Sequence, residues 1–210
     1  MNKLILIGGG GHCKACIDVI ELENKYQIAG ILDLPQRQGE KILGYKIIAS
    51  DDAIPRLAKK GYSFLITIGH LGKPDLRNKI FGIVKQSGGE MPVIKSPLAH
   101  VSNHSCIKEG TIIMHQVIIN ADAQIGNNCI INNKALIEHD VIIGNNTHIS
   151  TSAIINGACS IGQNTLIGSA TVLKHVINVG DNIIIGAGSV VTKDILESGV
   201  YVGAPAKKIK

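Results

Sequence analysis

The chain of 210 residues predicts two units in series: an α/β domain on a Rossmann-like parallel sheet, then a parallel β-helix. Three observations carry this. The composition breaks near residues 96–98: both Phe and three of four Tyr precede residue 82, five of six Pro lie at or before residue 97, and Leu98 to Val200 holds neither an aromatic residue nor a proline. Before the break, short apolar runs alternate with helical patterns, the grammar of a parallel sheet with helical crossovers. After it, an aliphatic residue recurs every six positions from Val101 to Val191, sixteen times in register. Residues 1–97 and 98–210 are therefore the expected domains, the second with a C-terminal tail. With 45% hydrophobic and 18% charged residues the chain buries a sizeable core, and 37 Ile with no Trp suit regular layers.

In the first unit, Leu4–Ile7 reads as a strand ending in glycine, Cys13–Glu23 as a helix, and Ile28–Leu32 as a strand closed by Asp33. Asp51–Lys60 is helical, with an acid at its start and Gly61 after its end. Phe64–Ile68 is a third strand, Leu76–Gln86 is a helix for which Pro74 suits the start, and Met91–Lys95 is the last strand.

In the second unit neither a 3.6-residue helix nor a long amphipathic strand gives a six-residue period, whereas a coil of short strands and tight corners does. Gly126-Asn127-Asn128, Gly144-Asn145-Asn146, Gly162-Gln163-Asn164 and Gly180-Asp181-Asn182 recur every 18 residues, so one turn holds three hexads and the coil is a triangular prism. Gly and Asn suit corners because they tolerate positive φ. Residues 99–194 make a little over five turns (96/18).

Net charge is +5 without a run of five Lys/Arg or stacking aromatics, which excludes a nucleic-acid footprint. Five Cys, an odd number without a small-domain spacing, read as reduced thiols of a cytoplasmic protein. The leading apolar run Leu4–Ile7 is too short for a signal peptide or membrane span. Cys13-x-x-Cys16 lacks a thioredoxin-like context. The eight His show no dense metal-ligand spacing, so no metal is expected.

Two places carry chemistry. The first is one prism edge, where positions 139, 157 and 175 stack as His, Gly, His, leaving room beside an imidazole. His139 is the general-base candidate, since an imidazole accepts a proton near neutrality, and Asp140 or Glu138 is placed to fix its tautomer. The second is Gly8-Gly9-Gly10-Gly11-His12, which follows a strand and opens a helix, where backbone N–H groups bind phosphate. Cys13 takes the final glycine of the dinucleotide fingerprint, and Asp33 ends the second strand, where an acid often meets a ribose.

The hexads, the GGGGH start, the Ile137-Glu138-His139-Asp140 segment and the Val202–Lys208 tail together resemble the PglD/NeuD-type bacterial sugar acetyltransferases of the hexapeptide-repeat superfamily, over nearly the whole chain. The resemblance implies a left-handed β-helix, a homotrimer with active sites between adjacent β-helices, and acetyl-CoA as co-substrate. It implies that His139 is the base and Asp140 assists it, that His148 contacts acetyl-CoA, and that the Gly157 backbone N–H supports the oxyanion. Gly168, Ala187 and Gly188 then offer a low surface for the pantetheine arm, and Lys207, with Lys208, meets the CoA phosphates. Gly10, Gly11, His12, Asp33 and Gly69 correspond to positions that hold a nucleotide-linked sugar. Leu34 stands where many relatives have a second Asp, which leaves the nucleobase, UDP or GDP, open.

The expected reaction is N-acetylation at C4 of a nucleotide-linked 4-amino-4,6-dideoxy sugar for bacterial glycans. Three rivals share parts of this pattern: an O-acetyltransferase of a sialic-type sugar, a zinc hydratase with shared His ligands, and a nucleotide-sensing trimer without catalysis.

Overall fold

The computed structural model describes residues 2–210. The first unit runs β1 (Asn2–Ile7), α1 (Gly11–Glu23), β2 (Tyr26–Leu32), β3 (Lys41–Ile42), β4 (Tyr45–Ala49), α2 (Ile54–Ala58), β5 (Ser63–Ile66) and α3 (Asp75–Gln86). The sheet order is β3-β4-β2-β1-β5, parallel except for β3. One face packs Ile5 and Ile7 against α2 and α3, and the other packs Leu4 and Leu6 against α1.

Two elements depart from the sequence reading. The β3–β4 hairpin was not expected, because its two-residue turn, Leu43-Gly44, lacks the usual Asn or Asp; both residues nonetheless take the positive φ such a turn requires (46° and 90°). The expected helix over Asp51–Lys60 is a 3-10 turn, Asp51–Ala53, followed by the short α2. Pro55 has no N–H to continue an α-helical ladder from Asp51.

A third correction concerns Met91–Lys95. Met91 packs into the α/β core, but pairing with the sheet is limited to a single bridge of Glu90 to Ser63. The strand β6 (Ile94–Lys95) instead pairs with Ile112–Ile113 and starts the β-helix ladder ahead of the composition break. Ile94 belongs there because α1 covers it: Cys13, Cys16, Ile17 and Ile20 share one buried cluster with Ile94, Ile112, Met114 and Ile130.

The β-helix has three faces of two-residue strands. The first face, which points Ile94, Ile112, Ile130, His148 and Leu166 outward, is buried beneath the α/β domain. The second points His100, Ile118, Leu136, Ile154, Val172 and Val190 outward, and no part of the chain covers it fully. The third carries Cys106, Gln124, Ile142, Ser160 and Asn178. Of the sixteen periodic aliphatics, those from Ile113 to Val191 are at most 3% exposed, while Val101 and Ile107 lie at the open first turn, partly buried. Each buried one stabilises the fold by roughly 1.5–3 kcal/mol.

Corners repeat with the same period. Gln116, Asp122, Asn128 and every sixth residue to Asn182 have φ between 55° and 61°. The left-handed conformation therefore falls on Asn in the Gly-Asn corners, not on Gly. The glycines answer a different need: a Cβ on Gly144 would lie 2.6 Å from the Gln163 backbone nitrogen of the next turn. Buried hydroxyls at these corners are satisfied by the same stacking, Thr111, Thr147 and Thr165 donating to the carbonyls of Gly126, Gly162 and Gly180 (2.8, 2.8 and 3.0 Å). Among the described residues no helix is long and apolar enough to cross a membrane.

Candidate active site

A cavity of about 1010 Å³ opens at the C-terminal ends of β1, β2 and β5, the usual ligand position on a parallel sheet, and is bounded by Asn132 and His148 of the β-helix. Gly10, Gly11, His12, Asp33 and Gly69 all line it. The glycine run divides in two. A Cβ on Gly8, whose φ is 102°, would meet Ile68, and one on Gly9 would meet the Asp33 carboxylate at 2.8 Å. Gly10 and Gly11 have open space around them, and α1 starts at Gly11 with Gly10 as its cap. The cavity thus faces a helix N-terminus without side chains in the way, which suits an anion.

Asp33 is fully engaged. Its Oδ2 accepts from the Gly9 N–H (2.7 Å) and from Arg37, and its Oδ1 accepts from the Leu34 N–H (2.7 Å). Arg37, which also donates to the Gly9 carbonyl (3.3 Å), was not singled out in the sequence, where nothing distinguishes it from other surface cations.

Three histidines gather where the two units meet. His148, for which the resemblance implies a contact with acetyl-CoA, lies here, 6% exposed under the His70 loop. Its Nδ1 donates to the His70 carbonyl (2.9 Å) and its Nε2 faces the Asn132 amide (3.2 Å). The His70 ring packs edge-on to it, with centroids 5.4 Å apart. Burial, reinforced by Arg77 and the neighbouring histidines, lowers the His12 pKa to about 3. Burial likewise lowers His70 to about 4 and lowers His148 from its ordinary value. All three are neutral at physiological pH.

Arg77, 1% exposed, holds this junction together. It donates to the carbonyls of Ile66 and Ile68 (2.6 and 2.9 Å) and, across the domain boundary, to that of Asn128 (3.2 Å). Its place on a helix gave no hint of this, because its carbonyl partners are distant in sequence. Among the described residues no group of three or more His, Cys, Asp or Glu is placed to hold a metal ion.

His139 and Asp140 stand elsewhere, exposed on the edge between the second and third faces. The His139 Nδ1 lies 2.7 Å from Asp140 Oδ2, so the Nδ1–H donates to the carboxylate and leaves Nε2 as the basic nitrogen. Glu138 instead accepts from the Asn120 amide at 2.8 Å. The Asp140 hydrogen bond raises the His139 pKa above its ordinary value; desolvation opposes it, and the charges of Asp140 and Glu138 add to it.

The room expected beside this imidazole is filled by the ring itself. A Cβ on Gly157 would lie 2.8 Å from both Cε1 and Nε2 of His139. Gly157→Ala is therefore expected to swing the ring away and lower turnover by about 10²-fold, with little change in melting temperature. Turnover near wild type in a steady-state assay would remove this role for Gly157. Gly168 also departs from expectation: it is buried, and a Cβ there would lie 2.5 Å from the Ala187 nitrogen, so it serves coil stacking. Ala187 and Gly188 are exposed, and Gly188 has open space around it. Lys207 is exposed on a terminal strand, whereas Lys208 pairs with Glu197.

Comparison with known proteins adds the following. The family model of the PglD N-terminal domain matches residues 3–84, and that of the bacterial transferase hexapeptide (six repeats) matches residues 122–157. The structure of PerB from Caulobacter crescentus in complex with CoA and GDP-perosamine is 30% identical with a TM-score of 0.92, covering 100% of this chain and 98% of that one. The acetyltransferase domain of PglB from Neisseria gonorrhoeae FA1090, in complex with acetyl coenzyme A, is 26% identical with a TM-score of 0.91 and full coverage of both chains. WeeI from Acinetobacter baumannii AYE, 21% identical with a TM-score of 0.88 and full coverage of both chains, shares the fold. Comparison with curated proteins yields no match.

Proposed function

The chain belongs to the PglD-like sugar acetyltransferases of the hexapeptide-repeat superfamily, and from that membership we propose that it transfers an acetyl group from acetyl-CoA to the C4 amine of a nucleotide-linked 4-amino-4,6-dideoxy sugar. The observation that carries the chemistry is the His139–Asp140 contact of 2.7 Å, which orients Nε2 as a proton acceptor. The nucleoside diphosphate sits in the cavity, with its pyrophosphate at the start of α1, and the sugar reaches toward the β-helix.

His139 Nε2 takes the amine proton as the amine nitrogen attacks the thioester carbonyl. The tetrahedral intermediate collapses, the C–S bond breaks, and the CoA sulfur leaves with the proton that His139 returns. No cysteine is required: Cys13, Cys16, Cys129 and Cys159 are buried. All five thiols are free, which fits a cytoplasmic enzyme.

The base and the cavity occupy different sides of one prism. The cavity abuts the first face, and His139 does not line it. This supports a site completed by a second copy. The second face supports the same reading: Ile118, 43% exposed, Leu136, Ile154, Val172 and Val190 form a continuous aliphatic stripe that runs beside the edge carrying His139, as the interface of a homotrimer requires.

The test is acetyl-CoA with a panel of UDP- and GDP-linked 4-amino sugars, following free thiol. Release with an amino sugar is expected. Silence across the amines with turnover on a hydroxyl sugar would replace this reading by O-acetylation.

A further inference from the structure

The cavity has two chemically distinct ends. From Gly9, bonded to Asp33, the chain runs through the open Gly10 and Gly11 to His12, which lies against Gly69. The Asp33 end carries charge, with Arg37 paired to Asp33 and Ser50, Asp51 and Asp52 nearby on the lining. The other end holds the uncharged rings of His12, His70 and His148.

These rings differ in one respect. His148 uses both nitrogens, on the His70 carbonyl and the Asn132 amide. His70 is 5% exposed, and neither of its nitrogens has a hydrogen-bond partner of normal geometry; His12 Nε2 is likewise buried and without one. Buried polar atoms of this kind call for a partner.

Resting on the acetyltransferase reading above, we propose that His70 is a sugar-recognition residue, its imidazole hydrogen-bonding the hexose of the nucleotide-linked substrate. A neutral imidazole offers one donor and one acceptor, the match of a hydroxyl or free amine. A phosphate oxygen only accepts and would use the donor alone. The loop is also held in place. Arg77 grips the carbonyls of Ile66 and Ile68 just before it, and Gly72, whose φ is 85°, presses so closely on Ile184 that a Cβ would lie 2.2 Å from its Cδ1. The loop backbone is therefore anchored on both sides of His70, and the His70 carbonyl in turn fixes His148.

The experiment measures calorimetric affinity for two ligand pairs, GDP with GDP-perosamine and UDP with a UDP-linked 4-amino-4,6-dideoxy sugar. The readout is the gain in affinity that the sugar adds over the nucleotide alone. His70→Phe keeps ring volume and removes both nitrogens; His70→Gln keeps a donor and an acceptor. In His70→Phe the sugar's gain is expected to fall about tenfold while nucleotide affinity stays within about twofold, and His70→Gln is expected to recover part of it. An unchanged gain in both variants, or equal loss of nucleotide and nucleotide-sugar binding in both, would overturn the proposal. A wild-type protein that turns over an amino sugar yet gains no affinity from it would overturn the proposal alone, whereas absence of any turnover would overturn the acetyltransferase reading beneath it.

Discussion

Alanine in place of His139 is expected to lower kcat by about 10²–10⁴-fold, the contribution of a positioned general base, with the affinities for acetyl-CoA and nucleotide-sugar unchanged. Nothing in the core depends on this exposed ring, so the melting temperature should hold. Asp140→Asn separates charge from geometry, because the amide oxygen still accepts from Nδ1. It is expected to slow turnover by roughly 10²-fold and to move the pH profile. The sign follows from the pKa. Asp140 raises the proton affinity of His139, and catalysis needs the neutral imidazole, so wild-type kcat/KM falls as pH drops through a value above the ordinary histidine range. Without the carboxylate that acid limb moves to lower pH. An inflection that stays where it was, or moves upward, would show that another group titrates. A His139→Ala enzyme within tenfold of wild type would remove His139 as the base.

Ile154→Asp is expected to convert the proposed trimer to monomers and abolish activity without unfolding the chain. Ile154 sits mid-stripe on the second face, while its neighbour Ile155, fully buried, points into the prism and stays untouched. A carboxylate forced into an aliphatic interface costs several kcal/mol in desolvation, repeated at each contact of a closed ring. Light scattering gives the mass, circular dichroism the fold, and thiol release the activity. A second consequence is complementation. His139→Ala lacks the base and a cavity variant such as Gly10→Trp lacks the substrate site, yet each copy lends the neighbour what it lacks. Refolding the two inactive variants together at equal amounts should restore about a quarter of the sites. Ile154→Asp that stays trimeric and active, or co-refolded variants that stay inactive, would place the whole site within one chain.

Much of this was legible in the amino-acid order because it is local or periodic. A side chain that returns every six residues meets its own image one turn away, so the prism, its core aliphatics and the stacking of His139 on Gly157 follow from counting. The glycine run after β1 announces a helix N-terminus for the same reason, since turn and helix start are set by adjacent residues.

Other features waited for the tertiary structure, because they depend on which surfaces meet. Ile94 reads equally well as a strand of either sheet, and the packing of α1 assigns it to the β-helix. His148 falls on an outward strand position, and only the fold shows that the His70 loop buries it. Gly168 looks like open surface until the next turn closes over it. Arg77 and Arg37 look like ordinary cations until the chain folds Asn128 and Gly9 against them. In each case one sequence position has two admissible environments, and burial against a distant segment selects between them.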